Sequence, residues 1–200
     1  MLGISSHPDD IALGCAGAIA KHIKMSDEVF LLILTRGEEG GAATVRVKET
    51  IKSAAVLGIP KNKIHFANIP DTRIFENLRK AILEIEKITD KHKPYRVYTP
   101  SNKDRHQDHI AVAMATKAAC RRVPQILAYE TPSSLLEFSP QAFIDISQTL
   151  SLKAKAVGLH RSQRRKGYMK VAAVEGLARF RGLQAGVKAA EAFEVYRMIL

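Results

Sequence analysis

Two cysteines, eight prolines and twelve glycines are a sparse supply of covalent staples and backbone punctuation for a chain of 200 residues. Cys15 and Cys120 lie far apart and form no CxxC pair. They build no disulfide framework and read as two reduced thiols buried in helices. The low proline and glycine content excludes fibrous and disordered classes. No apolar run approaches the roughly 18 residues that a spanning helix requires; the longest strongly apolar stretch is Val29 to Leu34. The N-terminus carries no basic region followed by a long apolar core, so no signal peptide is expected. These absences together predict a cytoplasmic protein with no membrane span.

What is present is ordinary globular material, with 46% hydrophobic and 26% charged residues. That is enough chain for one domain over residues 1–200 with a sizeable core. The net charge of +11 admits nucleic-acid binding, attraction to an anionic substrate, or a basic solvated surface. The densest basic stretch, Arg161 to Lys170 (RSQRRKGYMK), holds one aromatic residue and matches no zinc-finger, homeodomain or RRM pattern. Nucleic acid is therefore disfavoured. A solvated basic face comes first, and help in holding a phosphorylated or carboxylated substrate comes second.

Short β-like runs alternate with amphipathic segments, the pattern of an α/β fold: a Rossmann-like, mostly parallel twisted sheet with helices on both faces. Strands are predicted at Leu2–Ser5, Val29–Leu34, Ile64–Ala67, Arg96–Thr99 and Gln125–Tyr129, and a further one at Phe143–Ile146. Helices are predicted over Gly14–Met25, from the loop Thr35–Thr44 to Leu57 with Gly58 as the stop, and over Ile74–Lys91 and His109–Arg122. Leu150–Leu159 and Met169–Phe180 also read as helical. The closing segment 190–200 is compatible with a helix or an edge strand.

The first strand ends at His7-Pro8-Asp9-Asp10. Ligands in open α/β sheets bind beyond the carboxyl ends of strands. An imidazole and two carboxylates offer metal ligands and a spare base there. The competing reading is an Asx-type turn with Asp9 or Asp10 capping the next helix. A second cluster, SNKDRHQDH, follows the strand at Tyr98 and Thr99 and carries His106, Asp108 and His109. Two histidines at i and i+3 can face one cavity, whereas Asp108 suits a helix cap equally well. Both loops should open on the same rim of the sheet.

This ordered set resembles the LmbE/PIG-L family of zinc-dependent de-N-acetylases, which act on N-acetylglucosaminyl compounds. Supporting stretches are Thr35-Arg36-Gly37-Glu38, Arg46 and Glu49 leading to Leu57-Gly58, Asn68-Ile69-Pro70-Asp71, His160-Arg161-Ser162-Gln163, and Arg181-Gly182 through Ala190-Glu191-Ala192-Phe193. The resemblance implies His7, Asp10 and His109 as ligands of one Zn²⁺, with another divalent metal such as Fe²⁺ also suited to the set. It implies Asp9 as general base and His106 as oxyanion stabiliser, with a cationic form as one option. Asp108 would orient an imidazole. Glu38, Arg46 and Asp71 are expected as substrate-hydroxyl or pocket-shaping groups, although Arg46 and Glu49 at i, i+3 would also make an ordinary helix ion pair. Relatives with an acidic residue just after HPDD differ from this chain, which has Ile11 and Ala12. The implied partner is a small amino-sugar substrate, and the implied assembly a trimer or hexamer. The alternatives are a nucleotide- or phosphate-binding protein using Gly37 to Gly41, or a basic binding module without activity. Against the first, the chain has no GxxxxGK[ST], and Gly14-Cys15-Ala16-Gly17 is not GxGxxG.

Overall fold

The apolar runs form the strands. Leu2–Ser5 (β1), Phe30–Ile33 (β2), Ile64–Phe66 (β3), Arg96–Pro100 (β4) and Gln125–Tyr129 (β5) pair in parallel. Ala142–Asp145 (β6) and Ala190–Met198 (β7) complete a seven-stranded sheet in the order β3-β2-β1-β4-β5-β7-β6. β7 runs antiparallel to both of its neighbours. The architecture comes from a computed structural model that describes residues 1–199; Leu200 lies outside them.

Among the described residues seven helices cover the sheet: Asp10–Gly14 (α1), Ala16–Lys24 (α2), Ala43–Val56 (α3), Leu78–His92 (α4), Gln107–Ala119 (α5), Leu150–Gly158 (α6) and Val171–Ala185 (α7). Side chains alternate across a strand, so each strand feeds two cores. Leu32, Leu34, Val97 and Ile126 pack with Ile85 of α4 and Val112 of α5 on one face. Leu31, Ile33, Tyr98 and Leu127 pack with Ile19 of α2, Ala54 of α3 and Ala156 of α6 on the other. That two-sided burial is why the parallel strands read as continuous apolar runs.

Several expected boundaries move. The helix predicted over 14–25 is α2, and a short helix that was not predicted, α1, precedes it and meets it at the fully buried Cys15. Gly14 lies against Tyr129, whose hydroxyl donates to the Ile4 carbonyl at 2.9 Å. A Cβ at Gly14 would collide with that ring. The helix expected from Ile74 begins only at Leu78; the segment before it is a run of turns in which Thr72 has φ 65° and the Thr72 and Ile74 amides donate to Asp108. Gly58 ends α3 in a left-handed conformation at φ 91°, as its residue type suggests. The closing segment is a strand, and it is interior rather than at an edge. Ala192 and Phe193 are buried within it, which explains its apolar centre.

β1 leads to β2 on one side and pairs with β4 on the other. The chain order therefore reverses between β1 and β4, and the crevice beyond their carboxyl ends is where such sheets bind ligands. Both histidine-bearing loops leave the sheet there.

Candidate active site

The turn after β1 folds back on itself. The His7 backbone amide donates to Asp10 Oδ2 at 2.8 Å, which sets the Asp10 carboxylate at the start of α1. Asp10 Oδ1 lies 3.4 Å from Nε2 of His109, on α5. His7 Nδ1 lies 3.4 Å from Asp10 Oδ2. His7, Asp10 and His109 are all buried, and their ligand atoms lie within 4.8 Å of one another. His109 Nε2 is buried and has no hydrogen-bond partner among the described residues. An orphaned imidazole nitrogen facing a carboxylate and a second imidazole is a cost unless a cation completes it. The donor set therefore fits a divalent metal held by two imidazoles and a carboxylate.

The other nitrogen of each ring is held by carboxylates. His7 Nε2 lies 3.0 Å from Asp71 Oδ1 and 3.4 Å from Asp108 Oδ2. His109 Nδ1 lies 2.9 Å from Asp104 Oδ2. Such pairing orients a ligating histidine and raises its basicity. Burial alone would lower the His7 pKa, but the Asp10 charge and bonds to Asp10, Asp108 and Asp71 outweigh it and hold His7 well above the ordinary value. The same balance, with burial opposed by Asp10 and Asp104, brings His109 to about 9. Burial also opposes ionisation of Asp10, yet His109 and His7 pull its pKa well below the carboxylate range.

His106 stands at the N-terminal cap of α5, and its Nδ1 accepts the Asp108 amide at 3.2 Å. Its ring centroid is 4.6 Å from that of His7 and 4.9 Å from that of His109. Burial, then the charges of His7 and His109, lower its pKa. An accepting Nδ1 and a lowered pKa both favour the neutral ring with its proton on Nε2, rather than the cationic form.

Asp9 is also buried, and its Oδ1 makes a 2.7 Å ion pair with Arg46 Nη2. Arg46 Nη1 donates to the Gly37 carbonyl at 2.6 Å. Gly37 has φ 67°, and a Cβ there would run into the Arg46 guanidinium. Arg46 therefore does not pair with Glu49. That carboxylate accepts instead from the Ser162 amide at 2.8 Å and hydroxyl at 2.6 Å.

The cavity, about 430 Å³, is lined by His7, Asp9, Asp10, Arg46, Asp71, His106 and His109 among others. Glu38 is outside the lining; its carboxylate accepts the Asp71 amide at 2.9 Å, and its neighbour Glu39 lines the cavity instead. Asp108 does not cap α5. It is fully buried and accepts the Thr72 amide at 2.9 Å, tying the loop after β3 to His7. His160 is buried but does not line the cavity. His22, on α2, lies apart from this cavity. It is buried and shares 2.7 Å hydrogen bonds with the Tyr98 hydroxyl and Asp27.

Sequence reasoning missed Asp104. Its Oδ1 accepts the His106 amide at 2.8 Å, and its Oδ2 is also bonded by the Thr131 hydroxyl. The available signal was an aspartate two residues before a histidine at a strand end, the spacing of an Asx turn. Lys166 and Tyr168, from the basic stretch, and Arg105 line the cavity as well.

Comparison with known proteins agrees with this geometry. The family described as PIG-L, GlcNAc-PI de-N-acetylase, matches residues 2–120. The chain is 37% identical over 169 residues to the "uncharacterized deacetylase YaiS" of Escherichia coli K12, covering 81% of this chain and 90% of that protein. It is 30% identical over 189 residues to the diacetylchitobiose deacetylase of Thermococcus kodakarensis, covering 82% and 69%. Among solved structures, the conserved protein TT1542 of Thermus thermophilus superposes with a TM-score of 0.85 at 27% identity, covering 100% of this chain and 95% of that one. With its sheet order, its paired loops and these relatives in agreement, the chain belongs to the PIG-L de-N-acetylase family.

Proposed function

We propose that this protein is a zinc-dependent amidase that removes the N-acetyl group from an N-acetylglucosaminyl-type small molecule. The observation that carries the reading is the convergence of His109 Nε2, His7 Nδ1 and Asp10 beside an arginine-held Asp9 in one buried cavity. The relative named diacetylchitobiose deacetylase supports the substrate class. A single sheet from Leu2 to Met198 supports treating the chain as one deacetylase domain.

His7, Asp10 and His109 would hold one zinc, with ferrous iron a second suitable ion. When bound, the metal supplies Lewis acidity and brings the pKa of a water near 7. Asp9 is the general base. Arg46 occupies its Oδ1 and fixes its orientation, which leaves Oδ2 to take a proton from the attacking water and pass it to the leaving amine. His106 donates from Nε2 to the carbonyl oxygen as negative charge develops there. Its Nδ1 is committed to the Asp108 amide, so the donor direction is set before substrate arrives. Asp71 and Asp108 hold the His7 ring.

The phosphate-binding alternative finds no support in the glycine loop. Four of its amides are spent internally: Gly37 donates to Thr35 Oγ1, Glu39 to Asp71, Gly40 to the Gly37 carbonyl and Gly41 to the Glu38 carbonyl. None of these four is left to cradle an anion. Among the described residues no helix is long and apolar enough to cross a membrane.

Asp9→Asn tests the assignment. The variant should keep about one zinc per chain by metal analysis, while amine release from N-acetylglucosamine conjugates falls on the order of 10²–10⁴-fold. Normal turnover by that variant would overturn the base assignment, and a wild-type protein without zinc affinity would overturn the metal centre.

A further inference from the structure

A second cavity, of about 120 Å³, lies beneath α7 and adjoins the first. Leu13, Pro132 and Tyr168 line both cavities, so the two meet at these residues, beside the space a molecule at the metal centre would occupy. The mechanism above makes no use of it.

Its chemistry differs from that of its neighbour. Besides Leu13, its walls include Val174, Leu177 and Ala178 from one side and Ala190 and Ala192 of β7 from the other. Its four charged residues form two matched pairs. Lys153 and Glu191 are buried at 2.6 Å from one another, and Arg181 embraces Glu130 through two bonds of 2.9 and 2.6 Å. Glu191 is further satisfied by the Gly17 and Ala18 amides. With every charge neutralised inside the wall, the chamber offers an apolar surface and no free partner for an ionic ligand.

Strand order then sets how a substrate would lie. Glu39, Asp71 and Thr72 follow β2 and β3, on one side of the metal centre, and suit sugar hydroxyls. The chamber belongs to β5 and β7, on the other side. A sugar held by the polar side directs its amide carbonyl to the metal ligands and its acyl methyl toward Leu13, Pro132 and Tyr168. A cavity of about 150 Å³ takes the six carbons of benzene; at about 120 Å³ the chamber is somewhat smaller, yet holds several carbons where an acetyl group presents one methyl. We infer that this chamber is an acyl pocket, and that the enzyme deacylates amino sugars whose N-acyl group is a longer, uncharged chain of about four to six carbons. The inference rests on the amidase reading proposed above.

The test is kcat/KM for amine release from N-acetyl-, N-butyryl-, N-hexanoyl- and N-succinyl-glucosamine with the zinc-loaded protein, together with competitive binding of hexanamide. Each methylene buried contributes about fourfold, and partial burial should leave hexanoyl at least about tenfold better than acetyl. Succinyl should fall below butyryl, because its carboxylate meets no free cation. Ala173, an exposed lining residue on α7, permits filling without disturbing the core. Ala173→Phe should collapse the hexanoyl-to-acetyl ratio and weaken hexanamide binding. Leu177→Trp serves the same purpose should the first variant not fold. Acetyl turnover with no gain for hexanoyl, or a ratio indifferent to both fillings, would overturn the acyl pocket and leave the amidase intact. No turnover of any of the four sugars would overturn the amidase reading and this inference with it.

Discussion

The two histidines that face Asp10 are held in different ways. His7 reaches two carboxylates that come from elsewhere in the chain, Asp71 after β3 and Asp108 on α5. His109 relies on Asp104 of its own loop, itself pinned by Thr131. Burial opposes ionisation of Asp104, but the bond and charge of His109, with the Ser133 and Thr131 hydroxyls, draw its pKa down to about 2. The His7 arm has two carboxylates, both non-local, and the His109 arm has one, which is local, with the Ser133 hydroxyl beside it at 3.5 Å. A second carboxylate protects orientation when one is lost, whereas a ring with one carboxylate and a long hydroxyl contact depends mainly on that carboxylate.

The largest break in this comparison is removal of a proposed metal ligand. His109→Ala should abolish both zinc retention and amine release, and metal analysis with a turnover assay checks it. Retention of stoichiometric zinc would show that the metal lies elsewhere. A sharper test removes the tethers. Asp104→Asn should weaken zinc binding by about 10–100-fold, while Asp71→Asn should weaken it less, because Asp108 still reaches His7 Nε2. Zinc competition titrations with a chromophoric chelator decide the order, and a larger loss for Asp71→Asn would reverse the claim about redundancy.

The smallest effect concerns a histidine remote from both arms. Burial is the main reason that His22 has a lowered pKa, opposed by Asp27. A lowered folded pKa means that the neutral ring is favoured in the native state. Its stabilising contribution is present above the unfolded value of about 6.5 and is lost as pH falls through the lower folded value. Thermal melts at pH 8 and pH 5 should therefore show a smaller acid-induced drop for His22→Gln than for the parent. An equal drop in both would remove His22 from the acid response.

Much of the sheet was legible because short continuous apolar runs carry the strand signal without help. Val29 to Leu34 and Gln125 to Tyr129 need no partner to be read. The C-terminal strand was not legible, because AEAFEVYRM mixes polar and apolar residues. Glu191 and Glu194 sit inside it as buried residues that acquire partners only after folding, Lys153 for the first and Ser101 for the second. The helix expected at Ile74 starts late for a related reason, since the turn at Thr72, with φ 65°, is held by Asp108, a residue far along the chain.

Within the candidate site, HPDD and HQDH announced the reactive side chains, and the structure brings them together. The tethers stayed hidden. Asp104 resembles any loop aspartate until His109 and Thr131 close on it, and Glu38 resembles a pocket residue until it turns to the Asp71 amide. Arg46 and Glu49 suit one another at helical spacing, yet each takes a distant partner because both are buried and Asp9 and Ser162 are aimed at them.

By its residue types and spacing alone, the chain determined an alternating α/β order and two loops rich in imidazole and carboxylate, because periodicity and strand ends are local properties. Only the tertiary structure decided which nitrogen of each histidine is free, which carboxylate holds it, and that a chamber whose charges are all paired adjoins the cavity of His7 and His109. Those outcomes depend on groups far apart in sequence, such as His7 and Asp71, meeting in a buried space where each polar atom must find a partner.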